Sequence, residues 1–307
     1  MTLKIERLHP HFFAEVSGVD LKQPLTPEQF TPIKAAFDEH AVLLFRDQHV
    51  NDDQHVDFSA HFGPVFTATN YHREGETPRF RAEMADISNV DHNGEILKPD
   101  NDRRQHAHAN QLWHTDNSFK HIPSRCSLLA AHEIPPTGGD TEFADMRAAY
   151  DALPVEKKAE TDDLIVEHSI FRSREQLGYD GFSNGARSEL PPVQQVLVRT
   201  LQDTGRKALY IASHASHVTG ALENGEEGQT GGWSLEKSRA LLQELIDFAT
   251  QPEFTYRHTW RPGDLIVWDN RCTMHRAHPF EEDDQRRILR RTTVSDEINS
   301  VERAKLY

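Results

Sequence analysis

His114, Thr115 and Asp116 form a His-x-Asp triplet, and much later in the chain His275 is followed by Arg287 and Arg291. On a strand, alternate side chains share a face, so the spacing predicts that His114 and Asp116 grip one ion together. A third ligand must come from elsewhere, and His275 supplies a second imidazole. Two imidazoles and one carboxylate leave about three positions open on an octahedral ion, the facial arrangement of non-haem Fe(II) oxygenases. Open positions mean chemistry rather than structure.

The triplet alone is a weak signal in a chain with 19 histidines. Its surroundings strengthen it. Trp113 precedes the pair and Asn117-Ser118 follows, which suits a strand ending at a site, and His275 follows a predicted strand through Trp268-Asp269-Asn270-Arg271. Arg286-Arg287 and Arg290-Arg291 open a further strand. Arg287 and Arg291 would share one face, with Arg286 and Arg290 solvated on the other. As a surface feature these arginines would answer Glu281, Glu282, Asp283 and Asp284. Beside a metal site, a planar guanidinium is instead the preferred clamp for a carboxylate, and that reading is favoured.

The elements that must position these residues follow from patterning. Alternation from Phe12 to about Asp20 predicts a strand, Thr26-Pro27-Glu28 a helix start leading through Phe30, Ile33 and Phe37, and Ala41 to Phe45 a buried strand. Ser127 to His132 reads as a strand and Pro135-Pro136-Thr137-Gly138-Gly139 as a tight connection. Asp145 reads as the N-cap of a helix through Arg147 to Leu153. A helix from Ser234 to about Ala249 shows Leu241, Leu242, Leu245, Ile246 and Ala249 on one stripe. Phe254 to Trp260, a Pro262-Gly263-Asp264 turn, Leu265 to Trp268 and Ile288 to Val294 complete the pattern. The polar stretch 70–109 is expected to contain a long mobile loop between short strands, placed to cover the site. With no internal repeat and no dividing linker, the chain is expected to be a single domain over 1–307. It should be mainly β with helices, built on a jelly-roll core.

Composition narrows the partners. The net charge is -15, which argues against nucleic acid because phosphate binding needs clustered Lys and Arg. No uncharged apolar run is long enough to span a bilayer, and Cys126 and Cys272 are too few for a disulfide scaffold. A reduced cytoplasm and a small-molecule partner are expected.

Several segments together resemble the Fe(II)/2-oxoglutarate-dependent dioxygenases. They are Gln111-Leu112-Trp113-His114-Thr115-Asp116, Pro136-Thr137-Gly138-Gly139-Asp140-Thr141, and Trp268-Asp269-Asn270-Arg271 leading to His275 and Arg287. The chain is most similar to the branch that includes taurine dioxygenase and 2,4-dichlorophenoxyacetate dioxygenase, and within it to the phenoxyacetate enzymes. Further likeness lies in Ala85-Asp86-Ile87-Ser88-Asn89-Val90, in Asp145 to Pro154 and in His214-Ala215-Ser216-His217-Val218. The resemblance implies a double-stranded β-helix fold with His114, Asp116 and His275 as iron ligands. It implies Thr141 and Arg287 on the distal carboxylate of 2-oxoglutarate, and O2 as the oxidant. Arg291 would then meet the acid group of the primary substrate, with Asn110 and His214 lining its pocket. The implied reaction hydroxylates a small organic acid while 2-oxoglutarate becomes succinate and CO2. Homo-oligomers are common in this branch.

An aryloxyacetate is the expected substrate, cleaved to a phenol and glyoxylate. Leu201 stands where the phenoxyacetate enzymes have a histidine, and Ala68 where the taurine branch has a sulfonate-binding histidine. Phe66 and Tyr71 could cover an aromatic or alkyl group. The alternatives are oxidation of an alkyl sulfonate such as taurine or of another carboxylate, a non-catalytic cupin-like binding protein, and zinc-dependent hydrolysis. His214 with His217 on a helix face, or His106 with His108 on a strand face, have ligand-like spacing but no third ligand. Cys126 is expected to be a buried packing residue, and Cys272 an oxidation-prone neighbour of the metal site.

Overall fold

The apolar run around Ser127 becomes a strand of 10 residues, Ser124–Glu133, at the middle of the largest sheet. The computed structural model describes residues 3–67, 79–178, 189–222 and 232–306. In chain order the strands are β1 (Lys4–Arg7), β2 (Ala14–Ser17), β3 (Val42–Phe45), β4 (Ala85–Ser88), β5 (Ser124–Glu133), β6 (Thr141–Asp145), β7 (Leu164–His168) and β8 (Val193–Val196). They continue as β9 (Val198–Thr200), β10 (Lys207–Leu209), β11 (Ala215–Ala221), β12 (Thr255–His258), β13 (Leu265–Asp269), β14 (Thr273–Ala277) and β15 (Ile288–Ser295). Seven of them form a sheet in the order β1-β2-β3-β13-β5-β15-β4. A three-stranded sheet β12-β6-β14 faces it, and β11-β7-β8 and β10-β9 form two smaller sheets.

Alternation sorts the main sheet's side chains into two layers. Leu43, Phe45, Leu128, Leu265 and Val267 pack with Ile33 and Phe37 of helix α1 (Pro27–His40) and with Phe58 of α2 (Asp52–Ala60). On the opposite face Val42, Leu44, Leu129, Ile266, Trp268 and Leu289 pack with Phe143 of β6 and with Trp260. Burying each such side chain is worth about 1.5–3 kcal/mol, so the interface between the two sheets is a rigid wall. The chemistry-bearing residues sit at one end of it.

Helix starts follow the sequence closely. Thr26 and Gln29 form a capping box at α1, and the Asp145 carboxylate accepts from the Arg147 amide. Ser234 caps the helix Leu235–Ala249, which buries Leu241, Leu242, Leu245 and Ala249. Other expectations need correction. The strand after Phe12 is only Ala14–Ser17, because Phe13 adopts a φ of 59° and turns the chain, its amide donating to the His40 carbonyl. Much of 70–109 is ordered: β4 pairs with β15, and helix α3 (Asp102–Ala107) leads into a 3-10 turn His108–Gln111. The expected loop keeps only its first residues, with Ala68 and Tyr71, outside the described residues. Arg290 is not solvated: it faces α2, pairs with Asp52 and lies 4.3 Å from the Phe80 ring centroid. Arg286 does project outward, to Glu133.

Candidate active site

The His-x-Asp segment is not a strand. His114 makes one isolated bridge, its amide donating to the His275 carbonyl at 3.0 Å and its carbonyl accepting from the His275 amide at 2.8 Å. The chain then turns at Asn117, whose φ is 55°, and the Lys120 amide closes the turn on the Asn117 carbonyl at 2.9 Å. The His114 and Asp116 side chains still face one point because the turn is anchored from outside. Asn270 does this: its carbonyl accepts from the Thr115 hydroxyl at 2.7 Å and its Oδ1 from the Asp116 amide at 3.1 Å. The same Oδ1 accepts from Trp268 Nε1 at 3.0 Å, and Asn270 Nδ2 donates to Ser127 Oγ at 2.9 Å. Ser127 in turn donates to Asp116 Oδ2 at 2.7 Å. One amide side chain thus ties the turn to β13 and β5.

His275 lies in β14, paired with Phe143, and its ring centroid is 4.1 Å from that of His114. Donor atoms of His114, Asp116 and His275 all lie within 4.8 Å of one another. Among the described residues no other group of histidine, cysteine and acidic side chains could hold a metal. The donor set fits a divalent ion in detail. Nδ1 of His114 is 2.8 Å from the Leu112 carbonyl, which fixes the ring and leaves Nε2 for the site. Burial pushes both imidazoles below their ordinary pKa, so they are neutral donors. Burial works against an ionised Asp116, but Arg291, then His275, His114 and the Ser127 hydroxyl outweigh it and hold the carboxyl far below its usual range.

Two cavities meet at this triad. The first is lined by His114, His275, Thr141, Trp268, Asn89 and Arg287, among others. Arg287 is buried, its Nε donates to the Gly139 carbonyl at 3.1 Å, and its amide donates to Asn89 Oδ1 at 2.8 Å. Burial lowers this guanidinium to about 10, with Glu282 and Asp140 opposing, so it stays charged at neutral pH. Those acids are otherwise engaged, Glu282 by Arg104 at 3.0 Å and Asp140 by Arg257 at 2.7 Å. Among the described residues no carboxylate pairs with Arg287. The Gly138-Gly139 connection makes this possible: with φ of 70° at Gly139, an added Cβ would lie 3.1 Å from Arg287 Cδ and Nε. Thr141 Oγ1 accepts from Trp260 Nε1 at 2.9 Å, leaving its own proton to donate into the cavity.

The second cavity shares His114, Asn110 and Arg291 with the first and adds Asp116, Lys120, Arg174, His214, Phe66 and Phe119. Arg291 donates to Asp116 Oδ1 at 2.5 Å, and among the described residues its buried Nε has no hydrogen-bond partner. His214 lies 3.3 Å through Nδ1 from Ser118 Oγ. All eight residues singled out from the sequence therefore converge, while Cys272, His106 and His217 are not set as expected. Leu201 packs in the core and lines neither cavity, and Cys272 is buried in that same core cluster. His106 lies on a helix and His217 on a strand, the reverse of their expected settings, and neither joins a metal-binding group. Sequence reading missed Asn270, Ser127 and Asn89 as supports, because each acts through partners distant in sequence. It also missed Lys120 and Arg174.

A facial triad beside a buried anion socket is the equipment of an oxygenase that consumes a 2-oxo acid, and comparison with known proteins makes that class specific. Residues 4–293 match the family described as Taurine catabolism dioxygenase TauD, TfdA family. The chain is 42% identical to the alpha-ketoglutarate-dependent 2,4-dichlorophenoxyacetate dioxygenase of Cupriavidus pinatubonensis, covering 97% of this chain and 100% of that one. It is 37% identical to the (S)-phenoxypropionate/alpha-ketoglutarate-dioxygenase of Sphingobium herbicidovorans, over 93% and 92% of the two chains. Its fold superposes on the crystal structure of AAD-2 in complex with Mn(II) and N-oxalylglycine with a TM-score of 0.86 at 41% identity, covering 98% and 99%. The chain belongs to the TauD/TfdA family and is a 2-oxoglutarate-dependent dioxygenase.

Proposed function

We propose that this enzyme hydroxylates an aryloxyacetate, using Fe(II) held by His114, Asp116 and His275. Bound there, the metal with O2 and 2-oxoglutarate supplies the oxidising equivalent that breaks a C–H bond. The observation that carries the reading is the buried Arg287, charged and, among the described residues, hydrogen-bonded through its guanidinium to a backbone carbonyl and to no carboxylate, in a cavity that also holds His114 and His275. Its fork and the Thr141 hydroxyl are suited to one carboxylate of 2-oxoglutarate, whose other end would reach the metal. The main sheet and its facing partner would form the two walls of a double-stranded β-helix, with the whole chain acting as one domain.

In the second cavity Arg291 would orient the substrate's acid group, with Asn110 and His214 lining its path. Hydroxylation of the carbon between ether oxygen and carboxylate gives a hemiacetal that collapses to a phenol and glyoxylate. In the same turnover O2 and 2-oxoglutarate become the added oxygen, succinate and CO2. The walls exclude water, and Asp116 occupies a ligand position that a halide would otherwise take, which favours hydroxylation. The relatives named for 2,4-dichlorophenoxyacetate and (S)-phenoxypropionate support the aryloxyalkanoate class. Two buried free thiols suit a reduced cytoplasm, and we propose a homo-oligomer as the working form. No described helix is long and apolar enough to cross a membrane.

The test is succinate formation by anaerobically Fe(II)-loaded protein given O2 and 2-oxoglutarate, with phenoxyacetates, alkyl sulfonates or no substrate. Stimulation by a phenoxyacetate with matching phenol and glyoxylate is expected. Stimulation by a sulfonate alone would move the substrate to the other branch, and no succinate at all would sink the reading in favour of a binding protein or a zinc enzyme.

A further inference from the structure

Two carboxylates, Asp86 and Glu282, are among the side chains that line the first cavity, the one that holds Arg287. Acids are out of place beside a socket for an incoming carboxylate, because like charges repel at short range and more strongly away from water. Helix α3 supplies the answer. Its Arg103 pairs with Asp86 at 3.0 Å, joined there by Arg79 at 2.8 Å, and its Arg104 pairs with Glu282 at 3.0 Å.

Glu282 is the acid that matters for Arg287. Asn89 fastens the two together: its Nδ2 donates to the Glu282 carbonyl at 3.1 Å while its Oδ1 accepts from the Arg287 amide at 2.8 Å. Burial acts most strongly on the Arg287 guanidinium, and the charge of Glu282 comes next, in the opposite sense. A buried guanidinium without a carboxylate draws in any that can reach it, and a glutamate side chain is long and flexible. Yet the Glu282 carboxylate is turned to α3, where Arg104 Nε donates to its Oε2. The grip is built from several sides. Arg104 Nη1 donates to the Leu97 carbonyl at 3.1 Å and lies 2.8 Å from Asp283 Oδ1, and His108 Nε2 stands 3.6 Å from Glu282 Oε2. Arg104 and Glu282 are both largely shielded from water, so their pairing is worth more than that of an exposed surface pair.

We infer that Arg104 is a positioning residue for the cosubstrate: by holding Glu282 against α3, it keeps Arg287 open to the distal carboxylate of an incoming 2-oxo diacid. Without Arg104, Glu282 turns to Arg287 and competes from within the chain, so the cosubstrate has to displace it. This inference rests on the proposal that Arg287 receives the distal carboxylate of 2-oxoglutarate, and Arg104 acts on that site only through Glu282.

The test is equilibrium binding to the full-length Mn(II)-loaded protein, followed by titration calorimetry and independent of turnover. The ligands are 2-oxoglutarate and, by displacement, 2-oxobutyrate, which keeps the metal-binding end but has no distal carboxylate. Wild type should bind the diacid more tightly. Arg104→Gln should raise the Kd of 2-oxoglutarate about tenfold, equivalent to about 1.4 kcal/mol, and leave that of 2-oxobutyrate within about twofold. Glu282→Gln should bind 2-oxoglutarate at least as tightly as wild type. Adding Glu282→Gln to Arg104→Gln should bring the Kd back to within about threefold of wild type, a rescue that a merely structural role for Arg104 would not produce. An unchanged Kd in Arg104→Gln, an equal loss for both ligands, or a double variant as weak as Arg104→Gln would overturn the assignment. A wild type with no preference for the diacid would sink the Arg287 reading and this inference with it, whereas a preference that survives undiminished in Arg104→Gln would sink this inference alone.

Discussion

At Arg287 the cost of burying a guanidinium is offset in part by the Gly139 carbonyl and by the charges of Glu282 and Asp140, and among the described residues no carboxylate pairs with it, so full stabilisation waits for an anion to arrive. Arg287→Ala should therefore raise the 2-oxoglutarate KM by about 10- to 100-fold, the worth of a charge-assisted pair. Metal binding, followed by Mn(II) titration, should be spared, and loss of both would show that Arg287 supports the fold instead. Asp116→Ala should abolish succinate formation and weaken Mn(II) binding by at least about tenfold, since even outer partners of metal ligands are worth that much. It also strips Arg291 of its anchor, so kcat and acid binding should fall together. Residue types pointed to these proposed roles directly: two imidazoles, a carboxylate and paired guanidiniums advertise their chemistry. Asn270 did not advertise itself, because an amide becomes a support only through what surrounds it.

At the scale of elements, supports decide whether the donors meet. Asn270→Ala leaves the Asp116 amide and the Trp268 indole without their acceptor, in a buried setting where each orphaned group costs about 1–3 kcal/mol. Mn(II) affinity should drop about 10- to 100-fold while the far-UV spectrum is kept, and an unchanged affinity would dismiss Asn270 as a positioning residue. Gly139→Ala forces a left-handed residue against Arg287. A loss of about 1–2 kcal/mol by urea unfolding, with a raised 2-oxoglutarate KM, is expected; stability lost without any change in KM would separate the turn from the socket. Elements with local signals were legible in the sequence, as the caps at Thr26, Asp145 and Ser234 show. The ligand-bearing turn was not, since Asn270, distant in sequence, holds it. Short strands were expected within 70–109, and β4 is one of them, held where β15 offers it an edge.

For the molecule as a whole, two buried histidines set the acid limit. Burial lowers His168 to about 3, and burial followed by His132 lowers His55 to about 3, from an ordinary 6.5. Below 6.5 the unfolded chain binds protons that the fold refuses. Their contribution is complete above that pH and is lost as pH falls toward 3, by up to about 1.4 kcal/mol per pH unit for each group. Among the described residues neither ring nitrogen of His168 has a hydrogen-bond partner, and the ring stacks on Tyr210. His168→Phe should thus hold its stability at pH 7 and flatten the acid limb of urea unfolding between pH 4 and 6. An unaltered limb would place the acid sensitivity elsewhere.

The reciprocal backbone bridge between His114 and His275 bears on how the enzyme acquires its metal. Peptide groups, rather than an ion, fasten two distant stretches of chain at the distance a metal needs. The entropy of bringing them together is therefore spent during folding, not at the moment of loading. Such a receptacle behaves like a fitting cast before its part arrives. Divalent ions should come and go without unravelling the protein, and the ion in residence should reflect what the surrounding medium supplies.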